Sequence, residues 1–164
     1  MSWLINPSFF FICTNLIYFS KYQLHSGVSS LRPNSFFKND DIFRYNSKER
    51  RNFKLLKNYN KYVEDHHCIP KQFKNHTLLK ILNFDINNSK NIYIMPNKKG
   101  KSILNLHPDT LVHQGYHYKY NMFVKEHLDY ILLKPEYDEK KYEFWLFFNH
   151  LKDNLQFNNN IPWK

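Results

Sequence analysis

Tyr62-Val63-Glu64-Asp65-His66-His67-Cys68-Ile69-Pro70 is the stretch that decides how the chain is read. Residues 62–69 read as a short strand that ends at Pro70, which cannot donate to a strand ladder. Successive side chains of a strand point to opposite faces, so the adjacent imidazoles of His66 and His67 cannot share one direction. Asn91-Ile-Tyr-Ile-Met-Pro96 alternates as a second strand, and Asn97-Lys98-Lys99-Gly100 closes it. Between the two, Lys71–Leu82 (KQFKNHTLLKIL) spaces Phe73, Leu78, Leu79 and Leu82 for a helix or for two helical turns. Asp85-Ile-Asn-Asn-Ser89 is turn chemistry.

Outward from this centre, Lys48–Lys57 (KERRNFKLLK) reads as a short basic helix, either a phosphate-tracking face or a solvated surface. Pro108-Asp109-Thr110 reads as a helix start, with Asp109 or Thr110 as its cap. From Tyr120, the residues Phe123, Val124, His127, Leu128, Ile131 and Leu132 recur at i, i+3, i+4, an amphipathic helix that stops before Pro135. A last helix over Lys140–Leu155 places Phe144, Trp145, Phe148, Leu151 and Leu155 on one face, a packing stripe. The expected order is helix, strand, helix, strand, helix, helix. The fold class is α+β, a small sheet with flanking helices. Residues 1–46 divide off as an apolar N-terminal segment and a polar linker, 47–135 form the main domain, and 136–164 add a C-terminal helix that packs on it.

The 164 residues carry 24 Lys plus Arg against 14 Asp plus Glu, a formal charge of +10. Such an excess suits a polyanionic partner, because each phosphate contacted releases condensed counterions. It also suits a solvated basic surface. Twenty of the cations are lysine, and Asn, Ile, Phe and Tyr are abundant, as A/T-rich coding in a large DNA virus or a similar genome would give. Two cysteines, Cys13 and Cys68, make no disulfide framework and no thiolate zinc site, so a reducing, intracellular compartment is expected. The apolar run Ser8–Phe19 is too short to span a bilayer and is broken by Asn15, so no stable membrane span is expected. It reads as a buried or interfacial segment; secretion or anchoring through residues 1–30 stays open.

His66-His67 is answered downstream by His113-Gln-Gly-Tyr-His117. Neutral imidazole serves both as metal ligand and as general base, since its pKa lies near neutrality. On a helix, residues i and i+4 share a face and can converge on one ion. Gly115 weakens that reading, and a loop-to-helix junction is the alternative. His107 is a further candidate ligand. His25, His127 and His150 read as surface or hydrogen-bonded core residues, and His76 as a helix cap or a phosphate contact, with the structural role favoured.

Asp65-His66-His67-Cys68-Ile69-Pro70, then Asn75-His76 with Leu78-Leu79-Lys80, Phe84-Asp85-Ile86-Asn87, Asn91-Ile-Tyr-Ile-Met-Pro96, His113-x-Gly115-x-His117 and Tyr120-Asn121 together resemble the AHH nucleases of the HNH (His-Me finger, ββα-metal) endonuclease superfamily. The resemblance covers about residues 60–133. It implies a ββα-metal core, with His66 as metal ligand, His67 as the base that activates water, and His113 and His117 as further ligands. It also implies that Asn91 orients the base through a hydrogen bond. Tyr120 matches a family tyrosine assigned to phosphate contact or ligand orientation. Asp65 departs from the alanine that the family's name implies, and is a candidate ligand or a partner behind the ligands.

The expected function is therefore an endonuclease that cuts DNA, or alternatively RNA, with one divalent ion: Mg²⁺, Mn²⁺, Ni²⁺ or Zn²⁺. Lys71, Lys74, Lys98, Lys99 and Lys101 flank the motifs and are expected to seat the nucleic-acid backbone, together with Tyr120. Two other classes compete: a non-catalytic nucleic-acid-binding protein on a nuclease fold, and a small domain whose histidines hold a structural zinc. Oligomeric state has no signal in the sequence.

Overall fold

The computed structural model describes residues 43–157 and 161–163. The apolar segment and most of the linker expected over residues 1–46 lie outside the described residues. Helix α1, Lys48–Leu56, opens on Ser47, whose side chain accepts from the Arg50 N–H at 3.1 Å and satisfies one orphan donor of the first turn. Strand β1, Val63–His67, pairs antiparallel with β2, Ile92–Pro96, in a two-stranded sheet; Asp65 faces Ile94 and His66 faces Tyr93.

The connection between the strands holds a 3₁₀ turn (Lys71–Phe73), helix α2 (Thr77–Ile81) and a second 3₁₀ turn (Ser89–Asn91). His76 caps α2: its Nδ1 accepts from Leu78 N–H at 3.2 Å, and its Nε2 lies 2.9 Å from Asp129. After β2 come α3 (Lys98–Ile103), an irregular stretch, α4 (Tyr118–Leu132) and α5 (Tyr137–Phe157). The chain is α+β, mixed helix around a small sheet. Among the described residues no helix is long and apolar enough to cross a membrane.

Among the described residues, two apolar clusters lie on the two faces of the hairpin. Tyr93 and Met95 belong to the larger one, with Leu78 and Leu79 of α2, Val124, Leu128 and Ile131 of α4, and Phe144, Phe148 and Leu151 of α5. Val63 and Ile94 turn the other way and pack with Tyr59, Phe53 of α1, Leu104 and Leu106. Fully burying an aliphatic or aromatic side chain of this size stabilises a fold by about 1.5–3 kcal/mol, so these clusters fix the hairpin between α1 and the α4–α5 pair. Every residue of β2 is buried. Its alternation is therefore one of facing, without a solvent side.

One expectation is refined and one is corrected. Asn97-Lys98-Lys99-Gly100 does close the second strand, which ends at Pro96, and it does so by starting a helix: Asn97 caps α3 by accepting from the Gly100 N–H at 2.8 Å. Glycine costs a helix about 1 kcal/mol relative to alanine, but here a Cβ would stand 1.8 Å from the Tyr62 carbonyl oxygen. The missing side chain lets α3 lie directly on the start of β1. Pro108-Asp109-Thr110 starts no helix. The Thr110 N–H bonds to the His107 carbonyl at 2.9 Å and the Asp109 N–H to His107 Nδ1 at 3.2 Å, which is a local turn; helix resumes only at Tyr118.

Candidate metal centre and base

Alternation along β1 sorts the site. Glu64 and His66 point to the α4 side of the sheet, Asp65 and His67 to the α1 side. On the first side His66 meets His113 and His117, with ring centroids 5.5 and 5.7 Å away, and the last two lie 5.2 Å apart. His113 comes from the irregular stretch, tied to the sheet by its N–H on the Pro96 carbonyl at 2.9 Å. His117 is the residue before α4, at φ −101° and ψ 77°. The pair thus stands at a loop-to-helix junction and not on a helix face. Gly115 makes the bend between them at φ +59°, a left-handed conformation glycine adopts without strain.

One ring nitrogen from each of the three imidazoles falls within 4.8 Å of the others. At the widest, an ion at the centre of such a triangle would sit about 2.8 Å from each, against about 2.0–2.1 Å for a zinc–imidazole bond, so small ring movements close the set. Among the described residues, Nε2 of His66 and Nε2 of His117 are buried and without a hydrogen-bond partner. A buried polar atom left unsatisfied costs about 1–3 kcal/mol, and two such nitrogens aimed into one cluster fit a divalent cation.

Burial, reinforced by His113, His117 and His67, holds the His66 pKa well below its usual value. Burial and then His113 lower His117 to about 4, against a raising hydrogen bond to the main chain of Trp163. Both are neutral near pH 7, the form that ligates. Glu64 Oε2 lies 2.7 Å from Nδ1 of His113, which leaves the other nitrogen of that ring for an ion. Glu64 was not singled out from the sequence, although its position two residues before His66 puts it on the same face.

On the second side His67 is half-buried, with the Tyr45 ring edge-on at 4.5 Å and Asn87 Oδ1 3.5 Å from its Nε2. Burial is the main influence on its pKa and lowers it; Asn87 and Asp65 raise it, Lys71 and Arg50 lower it. A neutral imidazole there can accept a proton. Tyr45 and Asn87 are its neighbours, and neither was anticipated: Tyr45 falls in the stretch read as linker, Asn87 in a turn.

Asn91 does not reach His67. It is fully buried, accepts from the Ile69 N–H at 2.7 Å and donates to the carbonyls of Ile69 and Ile86 at 3.1 and 2.8 Å. It fastens the chain after β1 to the turn before β2. Asp65 is no ligand. It lies across the sheet from the imidazole cluster, 2.9 Å from Arg50 Nε and 3.0 Å from Lys54 Nζ of α1. His107 is exposed beside Asp109 and outside the cluster.

Tyr120 is fully buried and donates to the Cys68 carbonyl at 2.5 Å, with its ring 5.3 Å from His66. It stands behind His66, with its hydroxyl committed to that carbonyl. Lys101 is spent on the carbonyls of Pro108 and Thr110. Lys71 stands over the Tyr45 ring, 5.4 Å from its centroid and near His67, and like Lys74, Lys98 and Lys99 it is exposed.

A family model described as "a nuclease family of the HNH/ENDO VII superfamily with conserved AHH" matches residues 49–144. No curated protein and no solved structure matches the chain.

Proposed function

Since the chain belongs to the AHH family, a nuclease family of the HNH/ENDO VII superfamily, we propose that it is a metal-dependent endonuclease that hydrolyses phosphodiester bonds in DNA. The observation that carries this reading is the convergence of His66, His113 and His117, two of them with orphaned nitrogens, while the adjacent His67 turns to the other face of the strand. In this reading the β1–β2 hairpin and α4 are the ββα-metal core. Residues 47–135 form the nuclease domain, closed by the helix within 136–164.

His66, His113 and His117 would hold the cation. When bound, a divalent ion stabilises negative charge on the scissile phosphate and on the departing 3′ oxygen. His67 takes a proton from the attacking water, as its neutral state near pH 7 allows. Both histidines end β1, so the phosphate crosses the end of that strand, with the ligand on one face and the base on the other. Lys71, beside His67, and the exposed Lys74, Lys98 and Lys99 contact the backbone of the nucleic acid, giving salt-dependent and largely sequence-independent binding. Three imidazoles without a carboxylate suit Zn²⁺ or Ni²⁺ better than Mg²⁺ or Mn²⁺.

Conversion of supercoiled plasmid to open circles, followed with each of the four metals, tests the reading. Wild type should nick, and His67→Ala should be slower by about 10²–10⁴-fold, the usual worth of a positioned base. Equal product from the two proteins with every metal would remove the catalytic assignment.

A further inference from the structure

We propose that Trp163, beyond the stretch matched to the family, is a positioning residue that holds His117 in ligating orientation and so completes the metal site. The proposal rests on the reading of His66, His113 and His117 as metal ligands. His117 needs such a hold. It precedes α4, its side chain makes no cap hydrogen bond, and the stretch from Leu111 to His117 has no regular secondary structure of its own.

Trp163 supplies two restraints. Its ring lies over the His117 imidazole, with centroids 4.0 Å apart and planes at 34°. Its indole N–H donates to the Val112 carbonyl at 3.2 Å, tying down the chain one residue before His113. Groups packed behind a metal ligand in this way orient its ring. At His113 the neighbouring group is Glu64, with Oε2 2.7 Å from Nδ1. Trp163 also stands 5.0 Å from the His66 ring and 5.4 Å from Tyr120, so its indole covers two of the three ligands. Ile161 and Trp163 pack against the larger apolar cluster, which anchors them.

The test is Co²⁺ binding to the full chain, measured by calorimetry and by the visible spectrum of the bound ion, for wild type, Trp163→Ala, Trp163→Phe and His66→Ala. Melting of each protein in chelator is recorded alongside. Trp163→Ala should weaken Co²⁺ binding by about 10–100-fold, the range typical of groups that orient a ligand, and should alter the spectrum. Trp163→Phe keeps a ring but loses the bond to Val112 and should lose several-fold. A merely structural tryptophan would lower the melting temperature in chelator and leave affinity and spectrum unchanged in the folded protein, which would overturn the proposal. Should Trp163→Ala fail to fold, wild-type affinity and spectrum in Trp163→Phe would overturn it equally. His66→Ala separates the two levels. If it abolishes binding while the Trp163 variants retain it, only the role of Trp163 falls; if it binds as wild type does, or wild type binds nothing, the metal site falls and this inference with it.

Discussion

Replacing Asn91 by alanine separates a structural clamp from a residue that acts on the base. The side chain is fully buried and makes three hydrogen bonds, at 2.7, 3.1 and 2.8 Å, to the Ile69 N–H, the Ile69 carbonyl and the Ile86 carbonyl. Alanine keeps the main-chain bonds of residue 91, including the Cys68 N–H on its carbonyl at 2.8 Å, but leaves three groups beneath the site without partners. At about 1 kcal/mol net for each bond, and more where the abandoned group stays dry, the loss sums to about 3–5 kcal/mol. That is a large part of the roughly 5–15 kcal/mol that keeps a domain folded. Asn91→Asp should be worse, since it removes both donors and sets a carboxylate against two carbonyls. Urea denaturation in chelator gives the number, with nicking per folded molecule measured beside it. A variant within about 0.5 kcal/mol of wild type whose nicking rate had fallen a hundredfold would refute the clamp and return Asn91 to the base.

Glu64→Ala should weaken Zn²⁺ binding about tenfold in a competition titration, because the His113 ring loses the carboxylate 2.7 Å from its Nδ1; Glu64→Gln, which keeps an acceptor without the charge, should lose less. The modest figure reflects a glutamate half exposed to solvent. If all three proteins bind alike, Glu64 is a surface residue. The protein in chelator should also lose stability in acid. His117 titrates at about 4 when folded against 6.5 for the free side chain, and burial depresses His66 as well, so the unfolded chain takes up more protons across that window. The stabilisation is therefore complete above pH about 6.5 and declines as pH falls toward 4. A melting temperature that stays flat between pH 7 and 4 would contradict this.

What the sequence reveals depends on how local the determinant is. Both strands, α1, α4 and α5 follow from period and punctuation, and the parity of β1 already separates His66 from His67. Helix α3 is hidden because Gly100 looks like a breaker; only the passage of Tyr62 beneath it explains the glycine, and that contact spans 38 positions. The neighbours of His67 and of His117 are hidden for the same reason. Tyr45, Asn87 and Trp163 come from a linker, a turn and the far end of the chain, and no spacing rule joins them to residues 66, 67 and 117. Lys101 and Tyr120 show the opposite failure. Their types suit phosphate contact, but each is committed to backbone carbonyls.

Asp65 explains how the chain departs from an alanine before its two histidines without disabling the second. Strand parity puts residue 65 on the same face as His67. A lone carboxylate there would raise the proton affinity of His67 and favour the charged imidazolium, which cannot serve as the proposed base. Instead α1 brings the buried Arg50 and the largely buried Lys54 to within 2.9 and 3.0 Å of it. Asp65 raises the His67 pKa and Arg50 lowers it, while burial, the largest influence, leaves the ring neutral. The dependence runs both ways. Alanine at 65 in this chain would strip a buried guanidinium of its carboxylate, a loss of about 3–5 kcal/mol for such pairs. Asp65, Arg50 and Lys54 therefore act as one energetic unit, and Asp65→Ala should be rescued in part by Arg50→Met, with urea denaturation as the measure. A double variant no more stable than Asp65→Ala alone would show that the aspartate has another task.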